Sequence, residues 1–381
     1  MPIIESDKKI TTPNPVKILP EKKSFTVQLN DWLFSLQGVS IREKLVFIQN
    51  LAVMIRAGIP VLASFRTLAE QTESKVFAHI IGQVALKLEQ GSSLSDALKM
   101  YPRVFNELFV NMIGSGEVSG KLEDVLAQLY LQTKKQYELT GKIKGALTYP
   151  VIVVIAMVGI GVFMIAYVIP KITSVFTDSG TPLPFFTRML IALSDFLVNN
   201  WLASIIGAVV LIVGVWRILR TEKGLYYWQA ILLHSPIIGP IIKKVNLARF
   251  SRTAGSLLKT DIMIVSAFRI TANIVGNLHY RKAIMEIAEQ IKKGGQINEI
   301  IKTYPQFFPP MVTQMITIGE QTGEISNILT DLAEFYEGEV DQIMQNLPSI
   351  IEPLLMLLLG LGVGAIAVAV IMPMYTLTAA M

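Results

Sequence analysis

The chain of 381 residues is 52% hydrophobic and only 17% charged, with a mean hydropathy of +0.50, a balance too apolar for a soluble protein of this length. Its net charge of +5 comes without an arginine-rich tract or basic residues interleaved with aromatics, which argues against a nucleic-acid partner. Cysteine is absent, so disulfides, thiolate nucleophiles and cysteine metal sites are excluded.

Residues 1–38 mix Pro13, Pro15 and Pro20 with five lysines and lack the apolar stretch of a signal sequence, so a disordered tail is expected. Ser40 and Glu43 then have the spacing of a capping box, and Leu45, Ile48, Leu51, Ala52 and Ile55 fall on one helical face before Gly58. A second helix starts near Pro60, with Val61, Phe65, Leu68 and Ala69 on its face. A third runs over 74–90 and stops at Gly91. Ser93 opens a short helix that ends before Tyr101-Pro102. A further helix is expected over 106–114 and a tight turn over 116–120. A long helix over 122–145 then leads into the first apolar run. Residues 39–148 thus form an all-α bundle of six helices, large enough to bury its own core.

Three charge-free runs follow. No charge lies between Lys144 and Lys171, and the nineteen residues 151–169 span about 28 Å as a helix, close to the hydrocarbon thickness. A second run lies between Asp195 and Arg217, with Trp201 and Trp216 placed as interfacial anchors. The third, 353–381, is uncharged throughout. These runs predict membrane helices at 149–170, 197–219 and 349–376, the competing reading for each being a buried core helix. Lys134, Lys135, Lys142 and Lys144 before the first span, and Arg217, Arg220 and Lys223 after the second, put 1–148 and 220–348 in the cytoplasm by the positive-inside bias. The loop 171–196, with Thr181-Pro182-Leu183-Pro184, and the C-terminus then lie outside.

The chain also repeats itself. A shift of 203 residues, without a gap, superposes Phe47 on Phe250, Phe65-Arg66 on Phe268-Arg269, and Gly91 on Gly294. It likewise superposes Tyr101-Pro102 on Tyr304-Pro305, Gly116-Glu117 on Gly319-Glu320, Gly120 on Gly323, Pro150 on Pro353 and Pro170 on Pro373. One register held over about 130 residues is a duplication. The fold expected is therefore an all-α membrane protein with two homologous cytoplasmic six-helix bundles and three transmembrane helices.

The most distinctive local pattern is Gly116-Glu117-x-x-Gly120, repeated as Gly319-Glu320-x-x-Gly323. It reads as a helix–turn–helix with glycine at positive φ and the glutamate near the positive end of the following helix. The competing reading is a docking surface, or a weak divalent-cation site with Glu117, Glu123 and Asp124 as oxygen donors. EF-hand spacing and a phosphate-loop motif are both missing, His79, His234 and His279 are isolated, and no nucleophile–base pair is apparent. No cofactor is implied. Gly159 and Gly161 in the first span and Gly362 and Gly364 in the third permit close helix approach, either within the protein or to another membrane helix. Glu352, at the mouth of the third span where the first copy has Tyr149, is either inert or pairs with a partner's cation.

Several segments carry a family resemblance. Val39-Ser40-x-x-x-Lys44-x-x-Phe47, Leu51-Ala52-x-Met54-x-x-Ala57-Gly58-Ile59-Pro60-x-Leu62, Gly91-x-x-Leu94-x-x-Ala97-Leu98, Tyr101-Pro102-x-x-Phe105 and Gly116-Glu117-x-x-Gly120-x-Leu122 together resemble the type II secretion F domain. Over roughly 39–376 the chain is similar to the inner-membrane platform proteins of type IV pilus and type II secretion machines. The resemblance implies a non-enzymatic scaffold that couples a cytoplasmic hexameric ATPase to insertion and extraction of pilin or pseudopilin helices. It also implies other inner-membrane assembly proteins and lipid as partners, and a homodimer or small homo-oligomer. The second copy departs from the pattern at Thr260-Asp261-Ile262-Met263, where the first has Ala57-Gly58-Ile59-Pro60. A small-molecule transporter subunit is the alternative, but it calls for ionisable residues within the spans. A membrane enzyme would need a constellation the chain lacks.

Overall fold

The computed structural model describes residues 38–170, 185–236 and 238–380. The expected N-terminal tail and the Thr181-to-Pro184 segment lie outside the described residues. Everything described is helix or short connection, with no strand among the described residues.

The first copy comprises α1 (Ile41–Arg56), α2 (Val61–Gln71), α3 (Lys75–Glu89), α4 (Leu94–Lys99), α5 (Glu107–Ser119) and α6 (Leu122–Phe163). α7 (Phe185–Asn199), α8 (Trp201–Arg220) and α9 (Glu222–His234) intervene. The second copy comprises α10 (Ile238–Lys259), α11 (Ile264–Ile274), α12 (Leu278–Lys292), α13 (Ile297–Lys302), α14 (Pro310–Thr322) and α15 (Ile325–Ala380). Both ends of α2 to α5 reappear in α11 to α14 displaced by 203, as do the end of α1 in α10 and the start of α6 in α15. The duplication is therefore one of three-dimensional structure as well as of sequence.

Local chemistry explains where the helices begin. The Ser40–Glu43 capping box is closed in both directions, at 3.2 and 2.8 Å, and Ser74, Ser93 and Asn106 each cap the helix that follows. Inside the first bundle Phe47 packs edge-on against Phe65 and Phe77, with ring centroids 5.6 and 5.3 Å apart, and stands 6.0 Å from Phe105. The second bundle repeats this cluster with Phe250, Phe268 and Phe308, at 5.5 and 5.3 Å. Tyr280 occupies the place of Phe77. Its hydroxyl, whose pKa burial raises, donates to the carbonyl of Phe307 at 3.1 Å.

Three expectations need correction. Each bundle buries a core of its own, but the two are not independent: Leu257, Ala267 and Ile270 of the second copy complete the core of the first. Residues 116–119 are not a turn, because α5 continues through them to Ser119. Part of the segment expected as an external loop is helix, since α7 covers 185–199.

The apolar runs belong to rods that start in the bundles. α6 continues through a π-helical turn (Met164–Val168), so one helix of 47 residues, about 70 Å long, joins the first bundle to the first span. α15 has 56 residues and joins the second bundle to the third span in the same way. The most apolar windows of α6, α8 and α15 are 0%, 0% and 11% buried. A core helix would be covered, so the buried-core reading of the runs fails. The three helices have the length and the outward apolar surface of membrane spans. The π-helical turn is anchored by the buried Ser194 of α7, whose hydroxyl donates to the carbonyl of Ile165 at 2.5 Å.

Candidate functional site: the junction of the two bundles

Each Gly-Glu-x-x-Gly pattern is a structural latch made of three parts. Gly116 lies in α5 where it crosses the start of α6, and a Cβ there would stand 3.0 Å from Val125 Cγ2 and 3.2 Å from Leu122 Cα. Gly120 ends α5 in the left-handed region at φ +70°. Between them, the Glu117 carboxylate accepts hydrogen bonds from the backbone amides of Leu94 and Ser95, at 2.5 and 2.9 Å. These are the first two amides of α4, and Ser93 already takes that of Asp96. The glutamate thus caps the preceding short helix α4, and not the following α6 as its sequence position suggests. Gly319, Gly323 and Glu320 repeat all three parts, with Glu320 accepting from Ile297 and Asn298 at 2.7 and 2.9 Å.

With both Glu117 oxygens facing amides and Glu123 paired with Arg56 at 2.9 Å, the three proposed oxygen donors Glu117, Glu123 and Asp124 do not converge. Among the described residues no group of three or more metal-ligating side chains is present.

The two bundles meet through unlike faces. The first presents α5 and α6, and the second presents α10 and α11. Gln132 donates to Thr253 at 3.2 Å and accepts from Ser256 at 3.2 Å, while Gln128 donates to Ser256 at 2.9 Å. Ser115 donates to the carbonyl of Thr260 at 2.7 Å, and Asn273 donates to Glu107 at 2.8 Å. The buried Arg252 makes a two-pronged contact to Glu337, at 2.7 and 2.9 Å, which Lys135 of the first bundle joins at 3.4 Å. These groups line a cavity of about 90 Å³ together with Arg249, whose guanidinium burial holds below its ordinary pKa.

The departure at Thr260-Asp261-Ile262-Met263 now has an intrachain cause. The loop seats on the first bundle, where Asp261 pairs with Lys121 at 3.2 Å. Asp261 is the only residue other than glycine with positive φ among the described residues, at +60°, matching +78° at Gly58. An L-residue there costs about 1 kcal/mol. The corresponding first-copy residues Ala57, Gly58, Ile59 and Pro60 are exposed. One copy's loop is an internal contact and the other's is surface.

Below the junction the two rods pack on each other. Leu139, Val340, Met344 and Leu347 form an apolar seam with Ile143, Ala146 and Ile351, and Lys142 pairs with Asp341 beside it. This seam reaches the level of Pro150 and Pro353, where the spans begin. Among the described residues, the span glycines Gly159, Gly161, Gly362 and Gly364 have nothing within 4 Å of a virtual Cβ. Glu352 is exposed beside Pro353.

Sequence reasoning missed the head-to-tail junction. Its polar pairs are ordinary surface types, and only the aspartate at a glycine position hinted at it. Val118, in the middle of the first latch, is 92% exposed, an apolar outlier that the pattern alone does not explain.

Comparison with known proteins places these features. The family profile described as type II secretion system protein F matches twice, over residues 47–170 and 250–373, at the same displacement of 203. The chain is 34% identical over 371 residues to a type IV pilus assembly protein PilC of Myxococcus xanthus, covering 97% of this chain and 87% of that one. It is 36% identical over 321 residues to the protein of that name in Thermus thermophilus, covering 84% and 79%. It is also similar to a type II secretion system protein F of Vibrio cholerae, with 31% identity over 346 residues, covering 91% and 85%.

Proposed function

We propose, on the premise that this chain belongs to the type II secretion system protein F family, that it is the inner-membrane platform of a type IV pilus or type II secretion machine. It works without chemistry of its own. A cytoplasmic hexameric ATPase moves the bundles, and the spans guide pilin or pseudopilin helices into and out of the membrane. The observation that carries this reading is the pair of unbroken rods. α6 and α15 each run from a bundle into a span and are clamped together by the Leu139–Val340–Met344–Leu347 seam. A displacement of a bundle is then delivered to the membrane, because no flexible linker absorbs it.

Both bundles and the N-terminus face the cytoplasm and the C-terminus faces outward, as the lysines before the first span and the cations after the second favour. The uncovered glycines of the first and third spans support close approach by a partner's membrane helix. Other inner-membrane assembly proteins and lipid surround the platform, which self-associates as a homodimer or small homo-oligomer. Deleting the chain in its host should abolish surface pili or secretion while pilin still accumulates in the membrane. Normal assembly in the deletion strain would overturn the reading.

A further inference from the structure

The junction is a built template for a second contact that a single chain leaves empty. It joins the α5/α6 face of the first bundle to the α10/α11 face of the second, so it is head-to-tail. Shifting by 203 residues identifies the two counterpart faces, α14/α15 on the second bundle and α1/α2 on the first. Both are uncovered. Met311 is 43% exposed where its counterpart Leu108, in the core that the two copies share, is 4% exposed.

The residues on the two open faces differ from the template in a matched way. Gln132 and Ser256 bond to each other inside the junction. Their counterparts are Phe335 and Val53, 43% and 59% exposed, so a polar pair has become apolar at both positions. Ser115 and Thr260 likewise become Ile318 and Ala57, both exposed. The Lys121–Asp261 ion pair has no equivalent, since Glu324 and Gly58 stand there. The first-bundle face is also more polar than its template at Thr67 and Gln71, which replace Ile270 and Ile274. A contact between the open faces is therefore weaker than the junction, as suits subunits that assemble reversibly.

We propose that the α14/α15 face of one chain receives the α1/α2 face of another copy, with Phe335 against Val53, extending the intrachain junction between chains. Within one chain the first bundle is already held through its α5/α6 face, which leaves its α1/α2 face to another copy. The contact is heterologous, so it builds a ring or a short array whose size is set by the rotation between bundles. This deepens the self-association in the platform reading but requires neither ATPase nor pilin, so either can fail without the other.

The chain has no cysteine, so introduced thiols are unique. The full-length chain is co-expressed in membranes in two tagged forms, one Val53→Cys and one Phe335→Cys, and treated with a short bis-maleimide. Gln132→Cys with Ser256→Cys in a single chain is the control for folding and reactivity. The expected result is a Val53–Phe335 product as the dominant interchain species. In the Phe335→Glu background, an Ile318→Cys and Ala57→Cys pair should lose crosslinking roughly tenfold, because a charge would be buried without a partner, while the intrachain control persists. Dominant homotypic products, crosslinking of Phe335→Cys to another protein alone, or no interchain product beside a working control would each overturn the proposal.

Discussion

Replacing Glu117 by alanine removes the acceptor for two backbone amides at the start of α4, a helix of six residues that cannot stand without its caps. The two amides respond differently. Leu94 is 2% exposed, so its N–H becomes a buried orphan at about 1–3 kcal/mol, whereas Ser95 is half-buried and can regain a water. Loss of the charge at the helix N-terminus adds a few tenths of a kcal/mol. The sum is about 2 kcal/mol, which corresponds to roughly thirty-fold faster exchange of the α4 amides if they open locally. Glu117→Gln keeps one acceptor oxygen and should cost about half as much. Glu320→Ala should act equally on Ile297 and Asn298, because the geometry is the same. Hydrogen exchange on the detergent-solubilised chain reads both sites separately. Unchanged protection in α4, combined with lost pilus assembly or secretion, would refute the latch and return Glu117 to a docking role.

Gly116→Ala and Gly319→Ala should each destabilise by about 1–3 kcal/mol, since the new Cβ meets a backbone Cα at 3.2 and 3.1 Å; thermal unfolding checks this. Gly58→Ala should cost about 1 kcal/mol, while Asp261→Gly, which relieves a left-handed L-residue and loses only an exposed ion pair, should be neutral or slightly stabilising in the same assay. Arg252→Ala should cost about 3 kcal/mol in denaturant unfolding, because Glu337 is then left buried at the junction with Lys135 alone; Arg252→Met with Glu337→Leu should recover most of it.

Much of the architecture was legible from residues. The 203-residue register foretold the repeated helix boundaries because both copies place the same phenylalanines and glycines at the same helical phase. Ser40, Ser74, Ser93 and Asn106 marked helix starts because a side-chain acceptor at the N-cap is a local requirement. What escaped was tertiary. Gly116 looked like a turn residue, yet it is helical and small because α6 passes over it, and a crossing helix leaves no mark on the glycine's own sequence neighbours. The partner of Glu117 lies 22 and 23 residues earlier, out of reach of spacing rules. The junction was hidden because its hydrogen-bonding residues, Gln128, Gln132, Thr253 and Ser256, are types that ordinarily face water. Only their burial identifies them.

Coupling of the bundles to an ATPase is tested most directly by photo-crosslinking in cells that are actively assembling. A photoreactive residue is placed at exposed positions of both bundles, including Val118 and Met263, which are 92% and 77% exposed. The platform account predicts crosslinks from bundle positions to the hexameric assembly ATPase, with yields that change when ATP turnover is blocked. Assembly that proceeds normally while no bundle position crosslinks to the ATPase would contradict it.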